Sequence, residues 1–449
     1  MLKTLLPSAR VCPDYSNNYS TLVRGEGIYL YDKDGNQFID GSGAASAVTL
    51  LGHGSNEIAE VLRQQAASVA VLPTHFFRSS VVDEYARELV AFAPPGISTA
   101  WFVSGGSEAI ESAIHLARQF HYLRGDTSRY KVVGRWQAYH GATGQALDVS
   151  GIPMRRTLYS PGLRHSQHAP PAYCFRCPFG RRPDSCVLEC AQAIEDIIIQ
   201  EGPETVSAVV AEPVVGAALG AVTAPDGYFQ EVRRICNRHG VLLIIDEVMT
   251  GFGRTGKNFG IEHWGITPDI MALAKGMSAG YFPLGGILIR QEVAKVFADK
   301  RASFSSGFTF ACNPMGAAVG RYVLRQIQER ELVSHAAKMG ELLVNELSSS
   351  LSSSSIVGEI RGLGLLVGVE FVKDRSTREP WPVASAVASK VGAAALRRRL
   401  ITYPGTGSVK GHMGDHVKLA PPLIISPQEV RQVAKLLSEA IHEVAETLQ

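Results

Sequence analysis

The first chemical signal comes from ionisable residues placed at the ends of apolar runs. "VLLIIDEVMTGFGRTG" (241–256) leads five apolar residues into Asp246 and Glu247. "DIMALAKGMSAG" (269–280) ends a second apolar run at Lys275, 29 residues beyond Asp246. Runs this short and apolar read as buried strands. A buried carboxylate requires a positive partner. A desolvated lysine is a better nucleophile, because burial favours its neutral amine. A third stretch, "SGGSEAIESAIHLAR" (104–118), opens an amphipathic helix on a glycine pair and a serine, directly after an apolar run. Backbone N–H groups approach an anion closely at such a turn, and the helix N-terminus attracts it.

Each feature alone has a plain structural reading: a helix N-cap, a solvated strand-end lysine, a strand-end acid. Their combination is more specific. Ligands of open α/β sheets sit at the carboxyl ends of the strands. A phosphate cradle, an amine nucleophile and a buried carboxylate together suit pyridoxal 5'-phosphate. The lysine condenses with its aldehyde, and the aspartate pairs with the protonated ring nitrogen. That pyridinium is the cation Asp246 requires.

The same residues resemble a known family. "LLIIDEVMTGFGRTG" followed by "PDIMALAKGMSAG" is similar to the signature of class III (omega-type) pyridoxal-phosphate aminotransferases. The resemblance runs from "YLYDKDGNQFIDG" to "LAPPLIIS". It implies an α/β chain of fold type I, the aspartate-aminotransferase type, with a large domain on a mostly parallel sheet and a small α+β domain. It also implies a homodimer, or a tetramer built from two such dimers, with active sites shared between subunits.

By this resemblance Lys275 and Asp246 are catalytic, and Glu212 is an acid on the substrate side of the cofactor ring. Gly106 and Ser107 match the phosphate-binding turn. Tyr139, in "QAYHGATGQAL", matches the aromatic stacked on the ring, and His140 and Gly141 complete that motif. Val248 matches the aliphatic residue on the opposite ring face. Thr309 matches a threonine that reaches the phosphate from the neighbouring subunit; Phe308 stands where many relatives have histidine. The chain also departs from the family. Many relatives carry an arginine for the substrate carboxylate in the late stretch, but "ITYPGTGSVKGHMGDHVKLAPPL" (401–423) has none. Tyr403 matches that place, with Lys410, His412 and Lys418 nearby. The length of the stretch, with its glycines, predicts a mobile flap bringing Tyr403 or a lysine to the substrate.

The elements that position these residues follow from the hydrophobic pattern. Asp34-Gly35, amid alternating apolar and polar residues, signals a hairpin. From about residue 56 to 302, strand-like runs alternate with amphipathic helices, which implies a mostly parallel sheet wrapped by helices. The domain reading is 1–55 as an N-terminal segment of the small domain, 56–310 as the large cofactor-binding domain and 311–449 as the small domain. "NPMGAAVGRYVLRQIQ" predicts a bridging helix, the serine run 348–355 a loop, "GEIRGLGLLVGVEFV" a strand, and "SPQEVRQVAKLLSEAIHEVAETL" a capped C-terminal helix.

Composition excludes other classes. Of the 449 residues 45% are hydrophobic and 19% charged, and the formal net charge is +2 with no basic block, so no nucleic-acid partner is expected. No apolar run approaches the ~20 residues of a membrane span. "MLKTLLPSARVCPDYS" lacks a signal-peptide core. Seven cysteines, an odd number in a long chain, fit a reducing, cytoplasmic setting. Cys174, Cys177, Cys186 and Cys190 have a C-x2-C…C-x3-C spacing compatible with structural zinc, although the eight-residue gap is shorter than in common zinc ribbons. Loop or buried cysteines are the plainer reading, and no metal is assigned.

The expected function is a ping-pong aminotransferase acting on an amine or amino acid donor and a 2-oxo acid acceptor, pyruvate or 2-oxoglutarate. A racemase, an aminomutase or a decarboxylating transaminase shares the cofactor residues and stays open at this point.

Overall fold

The computed structural model describes residues 19–448. The stretch behind the signal-peptide reading, and the first part of the 1–55 segment, lie outside the described residues. The chain then begins with the meander β1 (Leu22–Glu26), β2 (Tyr29–Asp32) and β3 (Gln37–Asp40). The hairpin expected at Asp34-Gly35 joins β2 to β3. Asp32 closes it by accepting from the N–H groups of Asp34 and Asn36 at 3.0 and 2.9 Å.

Helices α1 (Asn56–Ala66) and α2 (Ser80–Phe92) lead into β4 (Ile97–Val103). Next come α3 (Gly106–Arg124), β5 (Lys131–Arg135), α4 (Gly144–Val149), α5 (Pro153–Arg156) and β6 (His168–Ala169). Helix α6 (Glu189–Glu201) precedes β7 (Val206–Ala211), the small pair β8 (Val214–Val215) and β9 (Val222–Thr223), and α7 (Tyr228–His239). Strands β10 (Leu242–Asp246), β11 (Ile270–Leu273) and β12 (Gly285–Arg290) complete a seven-stranded sheet in the order β4-β12-β11-β10-β7-β5-β6. Its pairs are parallel except those made by β12, which runs antiparallel to β11 and β4.

The sheet is buried on both faces, which explains its nearly continuous apolar strands. Leu242 and Ile244 pack with Ile110, Ala113 and Ala117 of α3 on one side. Leu243 and Ile245 pack with Phe229, Val232 and Ile235 of α7 on the other. The period of two along β10 thus divides one apolar run between two helical layers.

Helices α8 (Gln291–Asp299), α9 (Pro314–Glu329) and α10 (Leu332–Ser350) follow, then β13 (Val357–Leu363), β14 (Leu366–Phe371), α11 (Val387–Arg397), β15 (Leu400–Ile401), β16 (Tyr403–Val409), β17 (Met413–Leu419) and α12 (Pro427–Leu448). The antiparallel sheet β13-β14-β17-β16 packs Val367, Val369, Val417 and Leu419 into the core with Leu343, Val391, Leu437 and Ile441 of its helices. Strand β3 pairs in parallel with β15, so the first strands join this C-terminal part. Helix α12 starts on the expected cap, with Ser426 Oγ and Glu429 exchanging hydrogen bonds.

Three expectations change. Ser348 to Ser350 complete α10, because the helix is anchored on buried Leu343 and Leu347 and its serines face outward. "GEIRGLGLLVGVEFV" forms two strands turning at Gly364, whose φ of +52° suits the tight reversal. The supposed flap at 401–423 is the β16–β17 hairpin, paired from Tyr403↔Lys418 to Val409↔Met413.

Buried polar side chains tie the two sheets together. Arg254, fully buried, donates from one guanidinium nitrogen to the carbonyls of Leu365 at 2.9 Å and Pro421 at 2.5 Å. Burial lowers its pKa to about 9, opposed by the charge of Asp40. Glu370 of β14 receives Arg176 at 2.5 Å and Arg361 at 2.6 Å, and Tyr173 donates to it as well. The cysteine-bearing loop is therefore bound to the C-terminal sheet.

Burial holds three histidines neutral: His121 and His168 with pKa values lowered to about 4, and His416 to about 3. The unfolded chain binds protons at these residues near pH 6.5, where the folded chain does not. Stability is therefore highest above pH 6.5 and falls with acidification until the folded values are reached. The thermal midpoint, followed from pH 7.5 to 5, should drop. A midpoint unchanged or rising over that range would contradict this account.

Candidate active site

The carboxyl ends of three adjacent strands place the ionisable groups side by side. Glu212 follows β7, Asp246 ends β10, and Lys275 follows β11. The register pairs Ile245 with Ala211 and Asp246 with Ala272, which sets Glu212 and Asp246 as neighbours and Lys275 just beyond. Asp246 is 5% exposed. It accepts from His140 Nδ1 at 2.8 Å and from the Val248 N–H at 3.0 Å. Glu212 accepts the N–H groups of Tyr139 at 3.0 Å and Gly216 at 3.2 Å. Burial pushes its carboxyl upward, and the nearby His140 opposes this.

Lys275 carries a lowered pKa of about 8. Burial is the main cause, and the charges of Asp246 and Glu212 oppose it. Its backbone lies in the left-handed region, φ +41°. A non-glycine residue there is strained by about 1–3 kcal/mol, and such strain gathers at functional sites.

The glycine–serine turn after β4 opens α3. Gly105 is extended and provides no side-chain cap, so the first-turn N–H groups face outward uncapped. A side chain on Gly106 would press on Val248 at 3.1 Å, and one on Gly141 would strike Ser107 Oγ at 2.6 Å. The two glycines thus let the turn, Val248 and the 139–142 segment close on one another. Ser107 Oγ accepts from the Ala142 N–H at 3.1 Å. Tyr139 is half-buried beside them.

The structure therefore brings Gly106, Ser107, Tyr139, His140, Gly141, Glu212, Asp246, Val248 and Lys275 into one region. His140 stands there as the partner of Asp246, a pairing that the sequence motif did not disclose. Thr309 is apart: it is exposed in a turn, with no side-chain hydrogen bond to a described residue.

The late stretch behaves differently from expectation. Lys410 is exposed on the hairpin turn. Lys418 is wholly buried; its Nζ donates to Ser46 Oγ at 2.5 Å and lies 4.1 Å from the Tyr403 ring centroid. Burial, with Lys275 nearby, pushes its pKa well down. A residue sealed this way is not an exposed flap cation. Sequence reasoning also passed over Ser46, which sits in the strained loop Gly43–Ala47.

Cys174, Cys177 and Cys186 border one hollow of about 600 Å³, with Cys190 buried nearby. Burial and the neighbouring thiols push Cys190 up to about 12. Among the described residues no group of three or more His, Cys, Asp or Glu is arranged to hold a metal ion.

With this geometry in place, comparison identifies the class. The class-III aminotransferase family model matches residues 12–441, and the chain belongs to that family. It is 37% identical to an uncharacterised aminotransferase of Schizosaccharomyces pombe over 94% of this chain and 92% of that one. It superposes with a TM-score of 0.90 and 34% identity on a thermostable (S)-enantioselective omega-transaminase from Thermomicrobium roseum, covering 99% and 97% of the two chains. The omega-transaminase of Pseudomonas jessenii in complex with PMP gives 0.89 and 31%, covering 95% and 93%. The protein is thus a pyridoxal-phosphate-dependent transaminase of fold type I. The residues present fit that cofactor: an uncapped helix N-terminus for phosphate, a flat aromatic for the ring, a buried carboxylate and an amine.

A lysine with a pKa of about 8 is mostly neutral at pH 9, where an exposed lysine is still mostly protonated. Labelling of cofactor-free protein with an amine-acylating reagent, mapped by peptide, should rise at Lys275 through about pH 8. Exposed lysines should rise near pH 10.4. A Lys275 midpoint above pH 10 would remove the basis for its activation by burial.

Proposed function

We propose that the enzyme transfers an amino group from an amine or amino acid donor to a 2-oxo acid, pyruvate or 2-oxoglutarate, in two half-reactions at one site. Lys275, Asp246 and Glu212 are its catalytic groups. The observation that carries this reading is the placement of a low-pKa lysine beside two buried carboxylates, at adjacent strand ends. Pyridoxal phosphate, when bound, supplies an aldehyde that captures amines and a ring that withdraws electrons from the amine-bearing carbon.

The chain does the rest. Lys275 Nζ is the amine that would hold the cofactor's aldehyde, and it would take the proton from the donor's amine-bearing carbon. Asp246, steadied by His140, would keep the cofactor's ring nitrogen protonated. Glu212 would face the substrate side. Gly106 and Ser107 would hold the phosphate, and Tyr139, with His140 and Gly141 of the same motif, and Val248 would flank the ring.

Thr309 reaches the phosphate of a neighbouring subunit, so the working unit is a homodimer, alone or paired as a tetramer. Its exposure and its lack of side-chain bonds to the described residues of its own chain support this. Residues 56–310 form the cofactor domain, with 1–55 and 311–449 forming the second; the β3–β15 pairing supports that division. Six free cysteines among the described residues support a cytoplasmic setting, and no helix among the described residues is long and apolar enough to cross a membrane.

Borohydride reduction of the holoenzyme followed by peptide mapping should place the reduced cofactor on Lys275, and Lys275→Ala should lose turnover while retaining cofactor non-covalently. An adduct on another lysine overturns the assignment. Asp246→Asn removes one charge-assisted contact worth about 1.5–3 kcal/mol, so turnover should fall at least about 10-fold. Turnover within a few-fold of the parent enzyme would contradict the role of Asp246.

A further inference from the structure

The late stretch has no arginine, yet the structure holds a free guanidinium elsewhere beside the site. Residues 155 and 156 are both arginine, at the end of α5, and they part company. Arg156 turns inward and donates to the carbonyl of Ser150 at 2.6 Å, with further bonds to Leu147 and Asp148. Arg155 stays exposed, and among the described residues no carboxylate or carbonyl takes its guanidinium. Its Cζ lies over the Tyr139 ring, 4.6 Å from the centroid.

The surroundings are concave. Arg155 borders a hollow of about 370 Å³ that also meets Gln137, Ala217 and Tyr403, and a second that meets Tyr139 and Gly141. It therefore stands at the junction between the ring-stacking aromatic and the residue that matches the family's arginine position.

Three other nearby cations are committed. Arg254 is buried on two carbonyls. Arg135 is buried and donates to the Glu212 carbonyl at 2.6 Å. Lys418 is sealed against Ser46. A guanidinium resting on an aromatic face keeps its in-plane N–H fork free, and that fork matches a carboxylate bidentately.

We infer that Arg155 grips the carboxylate of the substrate above the Tyr139 ring, replacing the arginine absent from the late stretch. This rests on the transamination reading and extends it. The acceptor, and any amino acid donor, must then present an acid group on the Arg155 side of the site. Amines lacking an acid group gain nothing from Arg155.

The test compares holoenzyme half-reactions of the parent, Arg155→Met and Arg155→Lys. Each is mixed with alanine, or with an arylalkylamine that carries no acid group, and followed by loss of the pyridoxal absorbance. The pyridoxamine forms are then returned with pyruvate. In Arg155→Met the ratio of specificity for alanine or pyruvate to that for the acid-free amine should fall about 10- to 100-fold, the loss of a charge-assisted pair. Arg155→Lys should lie between, because it keeps the charge and loses the fork. An unchanged ratio in Arg155→Met overturns the inference, as does an equal loss for all three substrates, which would make Arg155 a support for Tyr139. A parent enzyme bleached by neither amine would overturn the transamination reading itself, and this inference with it.

Discussion

Everything at the site depends on keeping charged groups dry at the edge of a sheet. Glu212, Asp246 and Lys275 leave adjacent strands at the same end, the two acids buried and the lysine half-buried beside them. Isolated, any one of them would be costly. Together they compensate: two acids oppose the loss of charge on the lysine, and His140 gives Asp246 a fixed partner. The sheet can carry this burden because its strands are packed on both faces by helices. A sheet with one wet face would hydrate the strand ends and return the lysine toward its ordinary basicity.

The loop after Asp246 serves a second end. It runs through the glycines at 251 and 253 to Arg254, which is fixed on the carbonyls of Leu365 and Pro421. The carboxylate and the junction between the sheets therefore share one short segment. The Glu370 cluster makes a second tie, binding the cysteine-bearing loop to β14 through Arg176 and Tyr173. The position of the C-terminal sheet over the site is set by buried polar contacts at two separate points.

The sequence displayed the large sheet clearly, because strands buried on both faces read as unbroken apolar runs such as "LLII" and "VSAVVA". It displayed Lys275 and Asp246 for the same reason, since ionisable residues stand out at the ends of such runs. The β16–β17 hairpin was hidden: its glycines and charged residues mimic a loop, and its polar face looks toward the rest of the protein. Gly364 concealed a reversal inside a run that otherwise reads as one strand. The pairing of His140 with Asp246, and Arg155 altogether, were invisible for a different reason. Each is defined by a partner far away in the chain or by the lack of one, and adjacent arginines look alike until the fold turns one inward.

The left-handed backbone at Lys275 has an evolutionary consequence. The conformation suits glycine, so the position holds lysine against the local preference of the chain. Relief of that strain and loss of the amine are the same substitution. A duplicated copy released from selection for chemistry would relieve the strain by exchanging this lysine for glycine, and the nucleophile would go in the same step. The lysine endures only while its reaction is needed.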